Sequence, residues 1–398
     1  MIRCKEDSEE RMKEFYLDNA ATTKPSEGAV AVITKILEEA YGNPSSLHRK
    51  GQEAEKYMIS ARRQLAKILM SDPESIYFTS CATESSNTAI RGAAERGKRR
   101  GKHILTSQSE HAATRENLKY LAEQGYEIEE ISCDKTGRIN LEDLKVKMRE
   151  DTILVTCIHV NNETGCINPV HEMATLIHEL NSECLFHVDA VQSFAKYPIY
   201  PKKYGIDLMS TSAHKINGPK GIGFLYMRRG LYFPSLILGG GQENHFRSGT
   251  ENVPYIAGFG KAAEEMWDMH EELAQKMYSL KRMLVDGLQT SLSGIYVNGP
   301  LVEEGAAHIV NIRVEGVRSE VLLHALEDYG VYVSSGSACA SNKPEEKSPA
   351  LNALGMGSCE IEQCLRISFG RYSTEEDVEA CVNAMKTVVP MLRRFVRK

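Results

Sequence analysis

Residues 208–223 read LMSTSAHKINGPKGIG, a short buried-strand pattern that runs into a His-Lys pair and a glycine-rich turn. A lysine just past a strand end, held by a tight turn, is well placed to form a Schiff base if burial lowers its pKa. The alternative is an ordinary exposed lysine, and the density of glycines after Lys215 argues against it. Lys215 is therefore the first candidate catalytic residue.

Short apolar runs of the same kind alternate with longer helical patterns through much of the chain. The helical patterns include residues 61–70, 117–124 and 173–180, and the strand-like runs are residues 76–79, 104–106, 153–158, 185–188 and 208–210. A repeated strand, helix, strand order is typical of sheets whose strands are joined by crossover helices. The pattern predicts an α/β fold, with a mostly parallel sheet flanked by helices on both faces.

The pattern changes in the last third of the chain. Apolar residues at three- and four-residue spacing predict one long amphipathic helix over residues 262–288, and such helices often link two domains. Strand-like runs follow at residues 309–314 and 365–369, with helical patterns over 319–329 and from about residue 374. These elements predict a compact α+β unit.

Composition and charge narrow the class of protein. The 398 residues are 42% hydrophobic and 26% charged, as in soluble globular proteins, and the net charge of −6 gives no reason to expect direct nucleic-acid binding. The first 14 residues lack an apolar signal core, and no run of 18 apolar residues predicts a membrane span. The ten cysteines form no CxxC pair, which disfavours a disulfide framework or a zinc site. We therefore expect a cytoplasmic protein without a metal centre.

Two further stretches place polar residues where a strand ends. In residues 77–87 a strand runs into small and hydroxyl residues that open a helix, and a helix start of this kind binds anions. A plain Ser/Thr helix cap is the alternative. In residues 187–192, Asp189 ends a buried strand, the position beyond which ligands sit in doubly wound sheets. This Asp could equally cap a helix.

The three stretches together predict a site for pyridoxal phosphate. The helix start at residues 81–84 would hold the phosphate, and Lys215 would carry the aldehyde carbon. Asp189 would keep the pyridine nitrogen protonated, so that the ring can take up electrons from the substrate. His111, which follows another predicted strand, is available to stack on the ring.

The chain resembles the cysteine desulfurases of the NifS/IscS type, within the class V aminotransferase group. The resemblance is nearly end to end and is carried by ordered motifs at residues 16–23, 42–48, 160–165, 239–243, 247–252, 334–339 and 369–372. It implies a fold type I PLP-dependent transferase that works as a homodimer. It also implies a large cofactor domain over residues 24–264, and a small domain built from residues 1–23 and 265–398.

The resemblance implies roles for the site residues as well. The substrate carboxylate would be bound by Arg366, with Asn43 nearby. The groups around the cofactor would be Ala82, Thr83, Ser212 and His214 at the phosphate, Thr250 from the partner subunit at the same phosphate, Asn162 at the ring hydroxyl, Gln192 along the ring and His111 stacked on it.

The implied activity is removal of sulfur from L-cysteine, which gives L-alanine and a persulfide on Cys339. Lys215 would move the Cα proton, and His111 would serve as acid and base for the thiol protons. A sulfur-acceptor protein would then receive the sulfur for iron–sulfur cluster assembly or tRNA thiolation. A selenocysteine lyase or another β-lyase on the same fold is the nearest alternative, and a silent scaffold subunit is another. The Ser-Gly-Ser-Ala-Cys stretch at residues 335–339 favours the desulfurase.

The chain departs from the family pattern at two places. Cys81 stands where relatives usually have glycine, next to the expected phosphate site. Residues 340–347 form a charged stretch after Cys339, and Ser-Pro-Ala-Leu follows at residues 348–351. Ser348 is predicted to cap a helix, with Pro349 in its first turn.

Overall fold

The computed structural model describes residues 13–335 and 348–395. Its helices are α1 Glu27–Glu39, α2 Arg49–Ile68, α3 Ala82–Gly97, α4 Ala112–Glu123, α5 Leu141–Lys147, α6 Val170–Leu180, α7 Pro201–Tyr204, α8 Val253–Asp268, α9 His270–Ser291, α10 Ser319–Glu327, α11 Pro349–Ala353, α12 Ser358–Ile361 and α13 Glu375–Arg393. Its strands are β1 Phe15–Tyr16, β2 Ile76–Thr79, β3 His103–Ser107, β4 Glu127–Ile131, β5 Thr152–Ile158, β6 Leu185–Asp189, β7 Leu208–Ser212, β8 Gly223–Met227, β9 Ile295–Asn298, β10 Ile309–Val314, β11 Val331–Tyr332, β12 Ser334–Ser335 and β13 Cys364–Ser368.

A seven-stranded sheet organises the first two thirds of the chain, in the strand order β2-β8-β7-β6-β5-β3-β4. Strands β4, β3, β5, β6 and β7 are parallel to one another. Strand β8 is antiparallel to both β7 and β2, so β2 again runs in the common direction. The predicted mostly parallel sheet is confirmed. The carboxyl ends of β2, β3, β5, β6 and β7 therefore lie along one edge.

The central strands are apolar because helices cover the sheet. Strands β5, β6, β7 and β8 are buried at every residue, which explains the apolar runs in them. Polar residues on these strands are paired, as where the His187 ring lies 2.9 Å from the Ser210 hydroxyl. The five predicted strands are all present, and four of them extend one or two residues beyond the predicted bounds. Strands β4 and β8 were not predicted: β4 is an acidic edge strand, and β8 follows directly on the glycine-rich turn.

A second sheet of four antiparallel strands, β12-β13-β10-β9, lies in the last third of the chain, and β1 pairs with β11 in a parallel ladder. The predicted strands at residues 309–314 and 365–369 correspond to β10 and β13. Thr374 caps α13 through a reciprocal capping box with Asp377, where the last helix was expected to begin. One apolar core includes residues of both sheets, among them Phe186 and Leu365.

The single helix predicted over residues 262–288 is wrong, because α8 and α9 are separate. Met269 leaves the helical conformation at φ −111° and ψ 4°, and its N–H bonds to the Trp267 carbonyl. The rings of Trp267 and His270 stack with centroids 4.1 Å apart, and His270 Nδ1 lies 2.5 Å from the same carbonyl. The apolar spacing continues in phase across this one-residue break, so periodicity alone could not reveal it.

Among the described helices, none is long and apolar enough to cross a bilayer.

Candidate active site

A cavity of about 630 Å³ opens at the carboxyl edge of the seven-stranded sheet, a size typical of small-molecule sites. Ten of the residues singled out in the sequence line it: Ala82, Thr83, His111, Asn162, Asp189, Gln192, Ser212, His214, Lys215 and Arg366. They come from the ends of several strands and from β13 of the second sheet. The structure thus brings most of the predicted site together.

The junction of β2 and α3 forms one wall of the cavity. Helix α3 begins at Ala82, and Cys81 precedes it without a side-chain capping bond to any described residue. The first N–H groups of a helix lack intrahelical partners, so this end of α3 presents free donors. The Ser86 hydroxyl also lines the cavity, buried and with no hydrogen-bond partner among the described residues. Donors left open in this way suit an anion such as a phosphate.

Cys81 fits this junction without strain. Its backbone is extended, at φ −174° and ψ 171°, which any residue can adopt. The glycine that the junction does require is Gly223, which pairs with Thr79 on one side and Ser212 on the other. A Cβ on Gly223 would lie 2.5 Å from the Thr211 carbonyl oxygen and 2.8 Å from the Cys81 carbonyl carbon. The start of α3 can therefore approach the sheet only because residue 223 has no side chain.

Asp189 and His111 face the middle of the cavity. Asp189 ends β6, is 3% exposed, and accepts from the Val191 N–H at 3.0 Å. Burial raises the pKa of Asp189, against the opposing effects of His111, the Val191 N–H and Lys215. Burial lowers the pKa of His111, an effect that Asp189 opposes and that Lys215 and Arg115 reinforce. His111 Nδ1 accepts from the Ala113 N–H at 3.1 Å, so the neutral ring carries its proton on Nε2.

Lys215 ends a short 3₁₀ turn, Ala213–Lys215, directly after β7. Its Nζ donates to the carbonyl oxygens of Ala20 at 2.7 Å and Ala21 at 2.6 Å. Gln192 Nε2 donates to the same Ala20 carbonyl at 2.9 Å. Because Ala20 and Ala21 line the cavity, these bonds hold the amine at the cavity wall.

His214 lies beside Lys215 and is neutral at pH 7. Burial, followed by the charges of Lys215, Lys220 and Lys196, lowers the pKa of His214 to about 4. Its Nδ1 lies 3.2 Å from the Thr22 hydroxyl. A neutral imidazole here can donate a hydrogen bond to an anion without adding a charge.

Arg366 enters the cavity from β13 and is 5% exposed. Its Nη1 donates to the Asn162 carbonyl at 3.0 Å, and its Nη2 pairs with Asp18 Oδ1 at 2.8 Å. A buried guanidinium held by one carboxylate and one carbonyl retains further N–H groups, which a carboxylate ligand can accept from.

Two of the predicted residues, Asn43 and Thr250, do not line the cavity formed by the described residues. Asn43 and Thr250 are both exposed, and Asn43 Oδ1 accepts from the Ser45 N–H at 2.9 Å. Cys339 lies outside the described residues, although Ser335 and Ser348, the described residues on either side of its segment, both line the cavity.

The cavity also contains two carboxyl groups that the sequence did not single out. Burial raises the pKa of Glu110 to about 7, and burial raises the pKa of Glu163 to about 7 as well. Glu163 accepts from the hydroxyl of Ser348, whose own backbone has a positive φ of 91°. Ser348 caps α11 through the Leu351 N–H, as predicted. The only signal for these acids in the sequence was their position next to His111 and Asn162.

Within the described ranges, no group of three or more His, Cys, Asp or Glu side chains could hold a metal ion.

Comparison with known proteins defines the class. The aminotransferase class-V family matches residues 15–381. A "NifS/IcsS protein homolog" from Lactobacillus delbrueckii subsp. bulgaricus is 39% identical over 376 residues, covering 94% of this chain and 97% of its own. A "Cysteine desulfurase" from Nostoc sp. is 40% identical over 384 residues, covering 96% of this chain and 94% of its own. A solved structure titled "NIFS-LIKE PROTEIN" superposes with a TM-score of 0.90 at 36% identity, over 96% of this chain and 100% of that one.

The chain belongs to the aminotransferase class-V family, in its branch of NifS/IscS-type cysteine desulfurases. The family and the enzyme class predicted from the sequence are confirmed. The fold type I architecture is confirmed with them, because the solved structure covers nearly the whole chain.

Proposed function

We propose that this enzyme binds pyridoxal phosphate in the cavity at the sheet edge and transfers the sulfur of L-cysteine to Cys339. The observation that carries the proposal is the meeting of Lys215, Asp189, His111 and the open start of α3 in one cavity with Arg366. Each of these groups is needed by a different part of the cofactor and substrate.

The residues present fit the cofactor. The free donors at the start of α3 and the unpartnered Ser86 hydroxyl suit the phosphate, with Thr83, Ser212 and His214 around it. The exposed Thr250 is available to a partner subunit's phosphate.

Buried Asp189 suits a protonated ring nitrogen, because a cation beside it favours the ionised carboxylate. His111 would stack on the ring, Gln192 and Asn162 would line it, and Lys215 would hold the aldehyde carbon. When bound, the cofactor supplies an electron sink for the substrate Cα.

The chain's own residues then position the substrate and move protons. Arg366 would bind the cysteine carboxylate, with Asn43 as a further contact from an exposed loop. The Lys215 amine would carry the Cα proton, since its Nζ already lies at the cavity wall. The Nε2–H of neutral His111 is a donor, so this ring would exchange protons with the substrate and acceptor thiols.

Cys339 would accept the sulfur. Its thiolate would form a bond to the substrate sulfur, while the Cβ–S bond breaks and its electron pair stays on the substrate carbon. Protonation of that carbon gives L-alanine, and the reaction needs no external oxidant or reductant. Ser335 lines the cavity and precedes Cys339 by four residues, which span at most about 14 Å when extended. This reach supports the assignment.

The remaining expectations stay proposals. We propose a cytoplasmic homodimer that hands the sulfur to an acceptor protein for iron–sulfur cluster assembly or tRNA thiolation. The division into a large domain, residues 24–264, and a small domain, residues 1–23 and 265–398, also stays a prediction. A selenocysteine lyase remains the alternative on this fold, and a requirement for the Cys339 thiol would separate the two.

The test is to incubate the purified enzyme with L-cysteine and measure alanine, sulfide and protein-bound persulfide. Cys339→Ala and Lys215→Ala are expected to lose alanine formation, and wild type is expected to carry a visible cofactor absorbance that Lys215→Ala changes. Full turnover by Cys339→Ala would refute the assigned sulfur acceptor. Cys359→Ala is the matched control, because Cys359 is exposed and does not line the cavity.

A further inference from the structure

Residues 18–23 connect the two ends of the candidate site. The Ala20 and Ala21 carbonyls accept from Lys215 Nζ, while the Asp18 carboxylate pairs with Arg366. The segment is itself fixed: the Ala21 N–H donates to the Asp18 carbonyl at 3.0 Å, and the Thr23 N–H donates to the His214 carbonyl at 2.9 Å. One short segment thus contacts the lysine through its backbone carbonyls and the arginine through a side chain.

Asp18 lies behind Arg366 rather than in the cavity. Arg366 lines the cavity and Asp18 does not, although the pair is 2.8 Å apart. The side chains are 6% and 20% exposed respectively, so solvent screens the pair only partly. A backbone bridge between Asp18 and Ser368, two residues beyond Arg366 on β13, keeps the carboxylate in register with the guanidinium.

We propose that Asp18 is a positioning residue for the substrate carboxylate, acting through Arg366. This inference rests on the proposed function, in which Arg366 binds that carboxylate. Asp18 and the Asn162 carbonyl hold the guanidinium by its two terminal nitrogens from the protein side. Its remaining N–H groups are thereby kept in one orientation, so an incoming carboxylate does not have to order a long flexible side chain.

The proposal predicts a loss that depends on the ligand. Without Asp18, Arg366 loses the carboxylate that it pairs with at 2.8 Å and can rotate, so ligands with a carboxylate should bind more weakly. Amines without a carboxylate never use Arg366, so their binding should not change. If Asp18 only stabilised the fold, its removal would weaken the binding of both kinds of ligand.

The experiment uses the cofactor-loaded enzyme in a Cys339→Ala background, which the proposed function expects not to convert cysteine, and compares Asp18 variants with that parent by equilibrium titrations followed by the absorbance of the bound cofactor. L-Cysteine and L-alanine share the α-carboxylate, and cysteamine lacks it. Asp18→Ala is expected to weaken both amino acids about tenfold to a hundredfold, with cysteamine unchanged within about twofold. Asp18→Asn keeps an oxygen that accepts from Arg366 and is expected to fall between that parent and Asp18→Ala. Asp72→Ala is the matched control, since it removes an aspartate paired with a cation, Lys202, at the surface.

A double variant separates direct from indirect action. In an Arg366→Ala background, Asp18→Ala should cause no further loss, because its effect passes through the arginine. Parental affinity for cysteine in Asp18→Ala, equal losses for cysteamine, or additive losses in the double variant would each overturn the inference. If Asp18→Ala does not fold, Asp18→Asn provides the same comparison. Failure of wild type to form alanine would instead count against the proposed function itself.

Discussion

Glu110 offers a test of the site's electrostatics that does not depend on turnover. The side chain is 3% exposed, and one carboxylate oxygen accepts from the Ser107 hydroxyl and from the Ile158 N–H at 2.7 Å. The other oxygen, Oε2, is buried and has no partner among the described residues. Burial outweighs the lowering effects of Ser107, the Ile158 N–H and Thr114 and, with the nearby charge of Asp189, raises the pKa of Glu110 from 4.5 to about 7.

The raised pKa makes a signed prediction for stability. The folded protein holds this proton more tightly than the unfolded chain does. Glu110 therefore costs no stability below pH 4.5, and it lowers the free energy of unfolding as the pH rises towards 7. At about 1.36 kcal/mol per pKa unit, the full loss above pH 7 is about 3 kcal/mol. Glutamine has the same shape and never ionises. Glu110→Gln should therefore gain about 2 to 3 kcal/mol relative to wild type between pH 5 and pH 8.

The assay is urea unfolding of both proteins at pH 5, 6.5 and 8, with the cofactor concentration matched. Any packing difference caused by the amide is the same at every pH. The informative quantity is therefore how the difference in unfolding free energy between Glu110→Gln and wild type changes with pH. Glu84→Gln is the control of opposite sign: burial acts to raise the pKa of Glu84, but hydrogen bonds from Arg247 and Ser80 leave it lowered. Because the pKa of Glu84 is lowered from 4.5, its contribution changes with pH only below about pH 5, where that variant should lose stability relative to wild type as the pH rises; between pH 5 and 8 its difference from wild type should stay nearly flat. A difference between Glu110→Gln and wild type that stays flat from pH 5 to 8 would refute the reasoning.

Three further substitutions test the walls of the cavity. Gly223→Ala places a Cβ against backbone at 2.5 Å, so it should destabilise the fold by about 1–3 kcal/mol and weaken cofactor binding in an absorbance titration. Gly357→Ala, whose Cβ would meet no described atom closer than 3.8 Å, should leave cofactor binding unchanged. Ser348→Ala removes the cap of α11 and the bond to Glu163, and thermal unfolding should show a loss of about 1 kcal/mol. Cys81→Gly should leave cofactor affinity within about threefold, because Cys81 is already extended and unstrained; a large gain would mean that the thiol obstructs the phosphate site.

The sequence predicts much of this site because of the way parallel sheets are built. Apolar runs marked the strands, and polar residues after them had to meet at one edge once the strands proved parallel. Lys215, Asp189 and His111 were predictable on that ground alone. The role of Cys339 rests on the family resemblance, and its position lies outside the described residues.

Other features left no local trace in the sequence. The pKa values of Glu110 and Glu163 are raised by burial, and burial is a tertiary property that adjacent residues do not encode. The break between α8 and α9 preserves the apolar spacing, so only the structure reveals it, with the rings of Trp267 and His270 stacked across it. The pairing of Asp18 with Arg366 depends on β13 lying beside the start of the chain, which no periodicity shows.

The pairing of Asp18 with Arg366 determines how late in synthesis the chain acquires all the groups proposed for its site. Asp18 and Arg366 are 348 residues apart, so at a synthesis rate of about 5–20 residues per second the arginine follows the aspartate by roughly 20 to 70 s. The part of the chain that forms the carboxyl edge of the seven-stranded sheet, with Asp189 and Lys215, is complete long before β13 leaves the ribosome. A nascent or prematurely terminated chain would therefore have the groups proposed for the cofactor while lacking the arginine proposed for the amino acid. With Arg366 in its proposed role, such a chain could not position cysteine, and sulfur release would wait until β13 had been made.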